Sequence, residues 1–136
     1  MRDLDKLLSD FERNAGASAD VISECERHFG REFLKDYLDF MMISNGGEGF
    51  IGPNSYLRLW KIEELSSMND GYETADQLPD CLLFGTDGGD EAFAFDMRTS
   101  QVKIVQLPFL GMEWEHAWLL SDSFHGFLLR LYEAEM

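Results

Sequence analysis

Between Asp87 and Asp96 the chain places Asp87, Asp90, Glu91 and Asp96 around the pair Gly88-Gly89. Carboxylates so close together could offer oxygen ligands to magnesium or calcium, but a calcium loop alternates its acids about a central glycine, and these do not. A solvated turn or a contact with a partner is the better reading, and no metal is expected. His28, His116 and His125 show neither His-x-x-x-His nor His-Glu-x-x-His spacing, and Cys25 and Cys81 stand too far apart to be read as a zinc motif. Cys25 and His28, one helical turn apart, could meet as nucleophile and base, although helix neighbours of this kind are usually structural. The chain has no Gly-x-Ser-x-Gly elbow, Walker loop or dinucleotide fingerprint. The acids of Asp87-Gly88-Gly89-Asp90 would repel a phosphate. Neither catalysis nor a cofactor is expected.

Charge is the outlying property. Against 11 Lys and Arg stand 26 Asp and Glu, a formal net charge of −15 over 136 residues. A surface so acidic repels nucleic acid and anionic membranes and attracts basic proteins. From Ile62 to Met97 there is no Lys or Arg, while Glu63, Glu64, Asp70, Glu73, Asp76, Asp80, Asp87, Asp90, Glu91 and Asp96 are all acidic. Such a stretch is either a solvated face that aids solubility or a surface complementary to a cationic partner.

The elements that would carry these acids are legible from spacing. The amphipathic stripe Leu4, Leu7, Leu8, Phe11 predicts a helix ended by Asn14 to Gly16. Ser18 caps a second helix with Val21, Ile22, Cys25 and Phe29 buried and Gly30 at its C-terminus, and a third spans Glu32 to Ser44 before Asn45-Gly46-Gly47. Short strands follow at Gly49–Gly52 and around Tyr56–Trp60, then a short helix over Ile62–Met68 and a loop punctuated by Asp70-Gly71 and Leu78-Pro79-Asp80. Cys81–Asp96 reads as strand, acidic turn, strand, with a further strand ending at Pro108. The oily loop Phe109–Met112 is a plug under the sheet or a contact surface. Trp114–Leu120 is a last short strand or an extended lead-in to a terminal helix capped by Ser121 or Ser123. Trp60 is expected to be buried and Trp114 partly exposed. The fold class is therefore α+β: one domain over residues 1–136, a mostly antiparallel sheet with helices packed on one face and helices at both ends. Two distant cysteines suit a reducing cytosol, and no run approaches the ~18 apolar residues of a membrane span.

In the order of its motifs the chain resembles the SUKH superfamily, which includes bacterial toxin-immunity proteins and fungal cell-wall-synthesis regulators. The matching pieces are Asn45-Gly46-Gly47-Glu48-Gly49, Leu59-Trp60 with Ile62-Glu63-Glu64-Leu65, Phe84 to Glu91 with Phe93-Ala94-Phe95-Asp96, and Ser123-Phe124 with Phe127-Leu128. The resemblance runs from about Phe33 to Leu131. It implies an α+β fold with a mixed, largely antiparallel sheet, and a cytoplasmic protein that neutralises a cognate toxin, often a nuclease, by binding it. The alternative it implies is a regulatory or scaffold module of the fungal kind. A nucleic-acid-cutting toxin needs a cationic groove, which an acidic surface can occupy as a phosphate mimic. The expected contact surface is Glu63, Glu64, Asp70, Glu73, Asp76, Asp87, Asp90 and Glu91, with Met112 and Trp114 as apolar anchors beside it. The partner is then a basic toxin, with no nucleic acid or membrane among its ligands and the oligomeric state open.

Overall fold

Seven strands follow one another across a single sheet in chain order, each antiparallel to its neighbours. The computed structural model describes residues 2–135. Its elements are α1 (Arg2–Leu7), β1 (Asp10–Arg13), α2 (Ala19–Phe29), α3 (Lys35–Ile43), β2 (Gly47–Ile51), β3 (Ser55–Leu59), α4 (Leu65–Gly71), α5 (Thr74–Gln77), β4 (Cys81–Thr86), β5 (Glu91–Asp96), β6 (Lys103–Pro108), β7 (Trp118–Ser121) and α6 (Phe124–Glu133), with 3-10 turns at Ile62–Glu64 and Trp114–His116. The α+β expectation holds, with helices at both ends. No parallel pair occurs among the described residues.

Opposed residues of an antiparallel pair share a face, so the register sorts the sheet. Phe93 and Phe95 point to one side, where α3 and α6 cover them: Phe95 lies 4.9 Å from Tyr37, Phe93 lies 5.0 Å from Phe127, and Phe84 stacks on Phe95 at 4.4 Å. Helix α6 is fixed at its start from two directions. Ser123 Oγ accepts from Gly126 N, and the two carboxylate oxygens of Asp36 accept from Phe124 N and His125 N at 3.1 and 2.9 Å, so α3 caps α6. On the opposite face Ala92, Ala94, Val105 and Leu107 are also buried, and Met112 joins the same core. The oily loop is thus a plug through Met112, although Leu110 at its tip is 90% exposed.

Tyr37 is fully buried within this aromatic cluster and its hydroxyl has no hydrogen-bond partner. Burial drives the phenol strongly toward its neutral form. An unpaired hydroxyl costs about 1–3 kcal/mol to desolvate while the ring contributes its packing regardless. Tyr37→Phe is therefore expected to raise stability by roughly 1 kcal/mol in urea unfolding. A loss of stability would show that the hydroxyl has a partner.

Two local readings change. Phe11 keeps the helical spacing of Leu4, Leu7 and Leu8, yet α1 stops at Leu7 and Phe11 lies in β1 opposite Gly49. The reason is tertiary, since β2 offers a strand edge that an isolated stripe cannot reveal. The segment between α4 and β4, read as loop, contains α5.

Candidate functional site

The hairpin joining β4 to β5 presents the first group of acids. Thr86 Oγ1 donates to Glu91 O at 2.8 Å and accepts from Gly88 N, while one Asp87 oxygen accepts from Gly89 N at 2.8 Å and Glu91 N at 3.3 Å. Asp87 thus builds the turn through one oxygen of its carboxyl group. Asp90 contributes its carbonyl to Phe109 N, and Glu91 accepts from Gln106 Nε2 at 3.3 Å. Tyr72 stacks at 4.6 Å on that same Phe109, and the Trp60 ring lies nearly parallel to Tyr72 at 6.4 Å. Through Phe109 and Tyr72 the hairpin tip is joined to the α4–α5 corner, where Asp70, Glu73 and Asp76 are exposed. Glu73 holds that corner at φ 54°, a left-handed conformation unusual for a non-glycine residue.

Glu63 and Glu64 are more committed. The Asn45 Nδ2 donates to Glu63 at 2.6 Å, and Glu64 accepts from Lys61 N at 2.9 Å. The backbone N–H of Glu63 and the Asn45 amide hold the Glu63 carboxyl below its ordinary range. Glu63 fastens the start of α4 to the Asn45-Gly46 turn, while Glu64 closes the 3-10 turn before α4 onto Lys61. Asp70 looks instead into a cleft of about 290 Å³ that it shares with Arg31, Asp80 and Met97. The ten acids of the cation-free stretch are consequently not one uniform patch.

Cations from outside that stretch sort its acids further. Arg31 bridges to Asp80, and Arg98 binds Asp96 through Nε and Nη2 at 3.0 and 2.8 Å. Burial opposes the Asp96 charge, but the Arg98 guanidinium and backbone N–H prevail and hold its carboxyl below the ordinary range. Among the described residues, Glu63, Glu64, Asp70, Glu73, Asp76, Asp87, Asp90 and Glu91 have no ion-pair partner. These eight are the acids that the charge pattern singles out for a contact surface.

The apolar anchors come out differently. Met112 is 3% exposed, so a partner cannot reach it, and its place as an anchor is corrected to a place in the core. Trp114 is half-buried with the Arg98 guanidinium 4.0 Å over its ring, which leaves part of it for contact. Sequence reasoning passed over Trp118, which is 66% exposed on β7, beside Leu119 at 56%. A four-residue strand gives too few positions for its alternation to be read. Trp60 is buried, as expected.

Little here supports bond-making chemistry. Asp96 lies at the far end of β5 from the hairpin tip, about 16 Å along an extended strand from Glu91, so the four acids do not converge on a metal. Glu113, Glu115 and His116 are the cluster whose ligand atoms come within 4.8 Å of one another among the described residues, and all three are exposed. The Gly111 carbonyl raises the His116 pKa, and the two carboxylates add to the shift. Burial, with Glu26 beside it, pushes the Cys25 thiol up to about 11, and burial with Asp96 pushes Cys81 up to about 12. Both stay protonated at neutral pH and make poor nucleophiles. His28 meets Ser66 Oγ at 3.0 Å and ties α2 to α4. No helix among the described residues is long and apolar enough to cross a membrane.

A family model described as SMI1 / KNR4 family (SUKH-1) matches residues 16–130. The matched span begins after β1 and ends within α6. No curated protein matches the chain.

Proposed function

The chain belongs to the SMI1 / KNR4 family (SUKH-1), and from that premise we propose that it is a cytoplasmic immunity protein that binds and neutralises a basic toxin through its uncompensated acids. Members of the family are generally non-catalytic immunity or regulatory proteins that bind partner proteins. The observation that carries the finer reading is electrostatic. Asp80 and Asp96 are neutralised by arginines, while the other eight acids between Glu63 and Glu91 have no ion-pair partner among the described residues.

Uncompensated charge of one sign steers an oppositely charged partner and raises its association rate, most of all at low salt. If the toxin cuts nucleic acid, its active site is lined with the lysines and arginines that hold phosphates, and these carboxylates replace the phosphates there. The same charge disfavours nucleic acid or an anionic membrane as the ligand.

The test is co-expression with the product of the adjacent reading frame. The expected result is a one-to-one complex whose association slows as salt is raised. Amide replacement of Asp70, Glu73, Asp76, Asp90 and Glu91 is expected to slow association by about tenfold or more and to leave the melting temperature nearly unchanged, because these side chains are exposed or only part-buried. A complex whose formation ignores both salt and these substitutions would overturn the acidic surface. A cellular partner with no toxic activity would move the protein to the regulatory branch of the family.

A further inference from the structure

The sheet has two open edges, and they are protected very differently. At β1 three of the four residues, Asp10, Glu12 and Arg13, are charged and exposed. Charges along an edge discourage another strand from pairing with it. At the other edge β7 reads Trp-Leu-Leu-Ser, with Trp118 and Leu119 among the most exposed large apolar side chains of the protein. It carries no Lys, Pro or acid of its own. β7 is short, and its pairing with β6 is irregular between Leu119 and Ser121, so the ladder it offers is brief and its side chains must supply much of any contact.

The surroundings say what would fit. From Ile104 to Leu129 the chain has no Lys or Arg, and Glu113, Glu115 and Asp122 lie within it. All three acids are exposed and flank β7 in the chain. The register places Trp118 opposite Gln106, whose amide holds Glu91 at the acidic hairpin. Trp118 and the hairpin tip therefore sit at the same end of the sheet. An exposed indole with acids close by in the chain and at the same end of the sheet accepts both apolar contact and the cation of a lysine or arginine.

We propose that β7 is the docking edge of this protein: a basic extended segment of the partner adds to the sheet there, with Trp118 and Leu119 as its apolar anchors and Glu91, Glu113, Glu115 and Asp122 facing its cations. The inference deepens the immunity reading and rests on it for the charge of the partner. A second copy of this chain is the poorer occupant. Pairing β7 with itself would bring the same acids together within two molecules that each carry −15.

The probe is a synthetic peptide of about ten residues alternating lysine and valine, long enough for one strand, added to the isotopically labelled full chain. Saturable binding is expected, with chemical-shift changes and slowed amide exchange at residues 118–121. Binding is expected to weaken by about tenfold in Trp118→Lys and in Leu119→Lys. Both sites are exposed, so an unchanged melting temperature will separate lost docking from lost folding. A peptide with alternate amides N-methylated, or with glutamate in place of lysine, is expected not to bind. Equal binding by either overturns the proposal, as does no binding of the basic peptide. Shifts confined to residues 63–76 overturn the edge and leave the acidic-surface reading standing. A concentration-dependent dimer abolished by Trp118→Lys would assign the edge to a second copy and also overturn the proposal.

Discussion

Replacing Asn69 with leucine is expected to cost about 2–5 kcal/mol of folding stability, although leucine suits a helix and the site is buried. Strand β3 ends at Leu59, and its pairing with β4 covers only Thr86 and Gly85, followed by Trp60 N to Phe84 O. Below that point the edge of β4 would be bare inside the protein. Asn69 fills the gap as a surrogate strand residue. Its Oδ1 accepts from Leu83 N at 2.9 Å, and its Nδ2 donates to Leu83 O at 3.0 Å and to Leu65 O at 2.8 Å. Asn69 itself is 8% exposed and Leu83 is fully buried, so water cannot take over these bonds. Leucine would orphan both backbone groups of Leu83, at about 1–3 kcal/mol each. Asn69→Asp keeps the acceptor but turns the donor into an oxygen facing two carbonyls, and a similar loss is expected. Urea unfolding followed by tryptophan fluorescence measures both. A leucine variant within about 1 kcal/mol of the parent would show that α4 does not hold β4 in this way.

The second large effect is expected at Gly46, in the Asn-Gly-Gly motif. Its φ is +77°, and a Cβ built there would lie 2.5 Å from Leu59 O and 3.0 Å from Lys61 N. Both obstacles are backbone, held by β3 and by the start of the Ile62 turn, where Asn45 Oδ1 accepts from Ile62 N at 2.8 Å. Gly46→Ala adds the left-handed penalty of about 1–2 kcal/mol to a contact that cannot relax cheaply, for a total of about 3 kcal/mol. Gly71 supplies the control. It ends α4 with no atom within 4 Å of an added Cβ and no positive φ. Gly71→Ala is expected to be neutral or to stabilise by up to about 1 kcal/mol. Equal losses at the two glycines would remove the steric account of Gly46.

Both residues belong to regions that the sequence analysis named, and neither role was legible there. The Asn45-Gly46-Gly47 turn was read as a helix stop. Helix α3 does end just before it, at an extended Ser44. The turn also locks the residues after α3 against the start of α4 through Asn45, which bonds Glu63 and Ile62. Asn69 was unremarked inside a short helix, because a side chain that completes a distant strand leaves no periodic signal.

What the sequence by itself determined is what local chemistry settles: the Ser18 and Ser123 caps, the left-handed Gly30, the acidic turn between β4 and β5, and the imbalance of charge. These depend on hydrogen bonds a few residues apart, or on composition alone. Tertiary structure decided which acids remain uncompensated, since Arg31 reaches Asp80 from 49 residues away. It also decided that Phe11 is a strand residue, that Met112 is core, and that Trp118 stands on an unguarded edge. The physical reason is that burial and ion pairing depend on which segments pack together, and no local pattern records where the sheet ends.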